Sequence, residues 1–202
     1  MDYHAHQAEL RARIDSINET ARRESIKHEI KSGRNPSKPK ILQGFACLYD
    51  VVHWWNGKQD CFQKGCFDGS LFGVMFKIDH VLTSPSLGDQ DDGSLELIDT
   101  DKGLAFRLTI APGDLDRLAG RDEMSPNYFV HKAETRKDGV RVIKSASLLE
   151  ISACLTGTAA IRQTHAVIRD ADAVGAFSED VKNFAVDSAA TGFIRALRRL
   201  KS

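Results

Sequence analysis

The spacing of apolar positions divides the chain into three parts. Over residues 5 to about 31, Leu10, Ile14, Ile17 and Ala21 recur at steps of four and three, which predicts a helix with one narrow apolar stripe. Arginine, lysine and acidic residues alternate on its other faces, so the stripe suits a coiled-coil seam or a partner groove better than a deep core. "KSGRNPSKPK" (31–40) then breaks the periodicity with glycine, two prolines and basic residues, as a linker does. From Ile41 short apolar runs alternate with turn residues. "ILQGFACLYDVV" reads as a strand, and "GSLELIDTDKGLAFRLTIA" as two strands around a polar turn. "NYFVHKAETRKDGVRVIKSASLLEISACLT" reads as a second hairpin over Arg136–Gly139 that ends in a more apolar strand. Sheet dominates residues 41–168. Beyond Asp170 the chain turns small and polar, and it closes on "FIRALRRLKS", a short basic amphipathic helix.

The expected organisation is a helical arm and basic linker over 1–40, a β-rich domain over 41–170, and a tail with an amphipathic helix over 171–202. The fold class is α+β, mainly β, as a closed or partly closed barrel with flanking helices. Charge adds little, because 28 Lys+Arg balance 28 Asp+Glu and no overall basic field points to nucleic acid. No run approaches the roughly 20 apolar residues of a membrane span, and the amino terminus lacks the apolar centre of a secretory signal. A reducing cytoplasm is expected, with the four cysteines as thiols.

The candidate chemistry starts with a metal reading. Cys47, His53, Cys61 and Cys66 lie close in sequence, but "CFQKGC" fits no usual zinc spacing, so buried thiols are the better account and no metal is expected. "HWW" (53–55) reads as an exposed aromatic patch in a loop, able to stack a base or dock a partner. His4, His6, His28 and His165 are expected at the surface. His131, in an extended segment, lies too far from Ser125 to act on it. His80 ends the apolar run "VMFKIDH", where an imidazole at the end of a buried strand is a plausible general base. Glu150 shares a strand face with Leu148, Ser152 and Cys154. Both faces look half buried there, and a carboxylate in that setting needs a partner. A histidine is one candidate; solvent or an edge arginine is the other. Ser125, in "RDEMSPNYFVH", is held extended by the proline that follows, either as a plain polar residue or as a nucleophile.

The order of short motifs decides between these. "GFACLYDVV", "DCFQKGCFDGSL", the run ending in His80, "LG" (87–88), "GSLELIDTDKGLAF", "EMS" (123–125) and "LLEIS" (148–152) together resemble the prohead (head maturation) proteases of tailed bacteriophages over about residues 41–160. The resemblance implies a serine endopeptidase with a fold similar to herpesvirus assemblins. On it, Ser125 is the nucleophile, His80 the base and Glu150 the third member. No cofactor is implied. The implied partners are the phage major capsid protein and its scaffold segment, with self-association left open and neither nucleic acid nor membrane required. The implied location is the assembling procapsid in the host cytoplasm, with cleavage of scaffold, of capsid segments and of the protein itself.

Some departures weigh against this. The serine is followed by Pro126-Asn127-Tyr128-Phe129 rather than an aromatic or aliphatic residue and then Gly-Phe. An oxyanion hole built on the next residue's amide is therefore excluded. Asp79 precedes His80 instead of following it, and the stretch before the serine is short. The rival readings are a scaffold or capsid-binding protein of the same fold that has lost catalysis and, more distantly, a nucleic-acid-binding domain using "HWW" and the basic linker.

Overall fold

The computed structural model describes residues 39–55, 57–161, 164 and 166–183. The amino-terminal helix expected over 5–31, the carboxy-terminal amphipathic helix, and His4, His6, His28 and His165 lie outside them. Ten strands carry the described part: β1 (Lys40–Leu48), β2 (Val52–Trp55), β3 (Lys58–Phe62), β4 (Met75–Ile78), β5 (Gly88–Asp89), β6 (Leu95–Asp99), β7 (Gly103–Ile110), β8 (Arg121–Thr135), β9 (Arg141–Leu155) and β10 (Ala166–Asp170). Among the described residues, helical structure is confined to 3₁₀ segments such as Pro112–Leu118 and one helical turn, Phe177–Asp180.

The strands form two sheets. The first runs β10-β1-β7-β6, all antiparallel. The second runs β2-β3-β9-β4-β5, with β8 paired to β9 on its other edge. Among the described residues these ladders do not join into a closed cylinder, so the barrel expected from the sequence resolves into two sheets. Among the described residues the flanking helices are short, one segment before β8 and the rest after β10.

One core lies between the sheets. Leu42, Phe106 and Leu108 from the first meet Phe62, Phe76, Ile143 and Ile151 from the second. The Phe76 and Phe106 rings stand 5.3 Å apart, centroid to centroid. β1 is buried almost without interruption, which is why it reads as an apolar run rather than an alternation. At the turn entering β7, a Cβ on Gly103 would lie 2.1 Å from the Cys47 carbonyl oxygen, so the β1–β7 contact there requires glycine. Arg107 reaches out of β7 to Asp180 at 2.7 Å and to the Gly175 carbonyl at 3.1 Å. Its guanidinium also lies over the Phe177 ring at 4.7 Å. These contacts fasten the last helical turn to the first sheet.

For function the decisive strand is β9. Along one edge it pairs in parallel with β3 at one end and β4 at the other. Along its other edge it carries β8 antiparallel from end to end. Segments distant in sequence thus share one strand as a platform.

Candidate active site

Glu150 sits in the middle of that platform. Its register partners are Met75 on β4 and Asn127 on β8. Two residues along the same face, Ser152 is paired with Lys77 on β4 and Ser125 on β8. Cross-strand partners project to one side of a sheet, so Lys77, Glu150, Ser152, Asn127 and Ser125 start from a common face. Glu150 is 1% exposed, and a buried carboxylate requires compensation.

His80 supplies it. The chain leaves β4 at Ile78 and passes through two left-handed residues, Asp79 (φ 51°) and His80 (φ 58°). Such a conformation is uncommon outside glycine, though Asp and His tolerate it better than most. Several bonds hold the corner. The Asp79 amide donates to the Ala153 carbonyl at 3.0 Å, and Arg121 Nε donates to Asp79 Oδ2 at 2.8 Å. The His80 amide donates to Ser152 Oγ at 3.1 Å. The turn carries the imidazole back over the sheet, where Nδ1 donates to Glu150 Oε1 at 2.5 Å. Ser152 Oγ donates to the same carboxylate oxygen at 3.2 Å. With Nδ1 committed as a donor, the neutral ring carries its lone pair on Nε2.

Ser125 lies in β8 and is 3% exposed. Met124 turns its polar groups away from β9: its amide donates to the Thr164 carbonyl at 3.0 Å, and its carbonyl accepts from Thr164 Oγ1 at 2.7 Å. Strand alternation then directs the polar groups of Ser125 toward β9. It also puts the missing amide of Pro126 on the outer edge, where no ladder bond is lost. That is how a proline sits inside this strand. Ser125 and Glu150 are therefore mid-strand residues, and only His80 follows a strand end.

A cleft of about 250 Å³ opens over this face. His80, Ser125, Pro126 and Asn127 line one part of it, and Ala160 and Ile161 form a wall. The wall is tied to β8 by the Ala159 amide, which donates to Glu123 Oε2 at 3.1 Å. Among the described residues no hydrogen bond joins Ser125 Oγ to the imidazole, although both face the cleft. Catalytic hydrogen bonds often tighten only when substrate binds.

His53, Tyr128, Val130 and Arg141 line the rest of the cleft. Asp60 is fully buried behind them. It accepts from Arg141 Nε at 2.8 Å and Nη2 at 2.6 Å, and from the Tyr128 hydroxyl at 3.0 Å. Burial alone would raise this carboxyl, but the hydrogen bonds from Arg141 and then Tyr128 outweigh it and hold its pKa below the usual value. His53 is stacked on Phe62 with ring centroids 4.8 Å apart. Burial lowers its pKa, which favours the neutral ring. Lys77 is also fully buried and donates to the Ser84 carbonyl at 2.6 Å, bracing the loop that follows His80. Its pKa is lowered by burial, opposed by the Glu150 charge.

Of the residues singled out in the sequence, His80 and Glu150 are directly bonded, and Ser125 shares the sheet face of Glu150 and the cleft lined by His80. His131 is exposed on the surface and pairs with Ser147. "HWW" proves to be part of strand β2 rather than a loop. Trp54 is exposed, but His53 is 3% exposed and faces the cleft. Cys47, Cys61 and Cys66 are buried thiols. Burial pushes Cys66 up to about 12 and raises Cys47 further, which opposes the thiolate form a metal would need. Among the described residues no three or more His, Cys, Asp or Glu side chains group as metal ligands do. No described helix is long and apolar enough to cross a membrane.

Sequence reasoning missed Ser152, Asp60, Arg141 and the cleft role of His53. Asp60 and Arg141 find each other across 81 residues of sequence, and Ser152 was placed on the Glu150 face with no role given to it. Only the Asn56-Gly57 pair, a hairpin signal, could have revealed that His53 lies on a strand opposite Asp60.

No curated protein and no solved structure matches the chain. The family model of the caudovirus prohead serine proteases matches residues 26–177, well over half of the sequence and spanning every strand described above. The chain thus belongs to the caudovirus prohead serine protease family.

Proposed function

We propose that this chain matures phage procapsids with Ser125 as nucleophile, His80 as general base and Glu150 as the residue that orients His80. The observation that carries the reading is the 2.5 Å bond from His80 Nδ1 to the buried Glu150 carboxylate, beside Ser125 in one cleft. Ser125 Oγ attacks the scissile carbonyl carbon and its proton passes to His80 Nε2. The carbonyl oxygen becomes an oxyanion. On collapse the C–N bond breaks, His80 returns the proton to the leaving amine, and an acyl-enzyme remains. A water then attacks the ester, giving its proton to His80, which passes it back to Ser125. Glu150 fixes the tautomer and stabilises the imidazolium formed in each half-reaction.

The substrates in this reading are the scaffold and the scaffolding segment of the major capsid protein, together with the enzyme's own termini. Residues 41–170 form the protease domain, while 1–40 and 171–202 direct incorporation into the shell. The work takes place inside the procapsid in the host cytoplasm, and no cofactor takes part.

A second reading, an assembly protein that kept the fold and lost catalysis, draws on Pro126, which removes one backbone donor beside the nucleophile. Co-expression with the capsid protein separates the two. Intact masses show processed capsid protein with the wild type and none with Ser125→Ala or His80→Ala if the enzyme reading holds. Identical masses across all three favour the assembly protein.

A further inference from the structure

We infer that the side-chain amide of Asn127 is an oxyanion donor of this site, supplying the hydrogen bond that Pro126 cannot give. The inference rests on Ser125 being the nucleophile. The attack places a negative charge on oxygen close to Ser125 Oγ, and fixed N–H groups aimed at that oxygen are a large part of catalysis in such sites.

The backbone near Ser125 offers little for this. Residue 126 has no N–H. The strand alternation set by Met124 and Thr164 turns the Ser125 amide into the ladder with β9. The amide of Met124 is already given to the Thr164 carbonyl at 3.0 Å. A side chain on the Ser125 face can supply the donor that Pro126 lacks.

Asn127 is the side chain in position. It follows Ser125 by two residues on the same strand, so both project from one face about 6.6 Å apart. Its register partner is Glu150, as that of Ser125 is Ser152. It lines the cleft with Ser125 and His80 and is only half buried. Among the described residues its amide has no hydrogen-bond partner, so Nδ2 is available to turn toward a bound carbonyl.

Of the other side-chain donors lining the cleft, Tyr128 gives its hydroxyl to Asp60 at 3.0 Å. Arg141 lies near the far end of β9 and is clamped in a fork on Asp60. His53 lies on β2, across β3 from β9. His80 is occupied with proton transfer.

The test uses the full chain and a peptide spanning the cut mapped by the co-expression experiment. Wild type, Asn127→Ala, Asn127→Leu and Ser125→Ala are compared for kcat, KM and melting temperature. The inference predicts that kcat falls by about 10²–10³-fold in both Asn127 variants. KM should move less than about threefold, and the pH dependence of the residual activity should be unchanged. Leucine keeps the bulk of asparagine, so it decides the matter if alanine lowers the melting temperature. Retention of wild-type kcat by Asn127→Leu overturns the inference while leaving Ser125 as nucleophile. Cleavage that persists in Ser125→Ala, or a wild type that cuts nothing, overturns the nucleophile assignment and this inference with it.

Discussion

The main chain of His80 and the side chain of Ser152 are joined by a hydrogen bond of 3.1 Å, and the same hydroxyl donates to Glu150 Oε1 at 3.2 Å. One small side chain thus ties the backbone of His80 to the carboxylate bonded to its ring. The strained left-handed corner at Asp79 and His80 is held from the sheet beneath it. A conformation of this kind persists only where its surroundings over-determine it.

If His80 is the base as proposed, removing that hydroxyl should loosen it without touching substrate. Ser152→Ala is expected to lower kcat by roughly 10–10²-fold, since small misplacements of a catalytic group carry penalties of that order. KM should stay near the wild-type value, and Ser152→Thr, which restores the hydroxyl, should recover part of the loss. Steady-state kinetics on processed peptide check this. An alanine variant with wild-type kcat would show that the corner holds without it.

The fork of Arg141 on Asp60 predicts an acid-dependent part of the stability. The folded Asp60 carboxyl titrates below its unfolded value of about 3.9. Its contribution is therefore complete above that value and is lost as pH falls through the folded pKa. Asp60→Asn should be less stable than wild type by roughly 3 kcal/mol at pH 6, with the gap narrowing below about pH 4. Urea unfolding from pH 3 to pH 6 reads this directly. Parallel curves would mean that the fork contributes nothing to acid sensitivity.

Buried thiols act at the opposite end of the scale. Burial raises Cys66 and Cys154 to about 12, whereas an unfolded cysteine titrates near 8.5. The unfolded chain loses protons first, so stability present below about pH 8.5 declines as pH rises toward the folded values. Cys66→Ala should be less stable at neutral pH because it leaves a small cavity. Its stability should nevertheless fall less steeply than that of wild type between pH 8 and pH 10. Equal slopes would contradict the burial account.

What could be read in the sequence was local. The β6–β7 and β8–β9 hairpins follow from alternation bounded by polar turns, and His80 at the end of an apolar run lies just past β4 as expected. The buried faces of β9 made Glu150 a carboxylate in need of a partner, but not which one. That choice is made by the parallel pairing of β4 with β9, a contact no short window contains. Asp60 and Arg141 were invisible for the same reason, since their fork joins strands far apart in the sequence. His53 is a different case. Its apolar flanks suggested a loose aromatic patch, while the Asn-Gly pair that follows marks a hairpin and hence a buried alternate position. Closure of the sheets was not legible, because strand content fixes how much sheet exists and not how its edges close.

The most direct measurement of the central assignment is to treat the full chain with a fluorophosphonate and locate the adduct by mass spectrometry. In that reaction a serine O–P bond forms, fluoride leaves, and the hydroxyl proton goes to the base. The account predicts a single adduct on Ser125, absent in His80→Ala and slowed in Glu150→Ala. Labelling at another serine, or undiminished labelling of Ser125 when His80 is alanine, would contradict it.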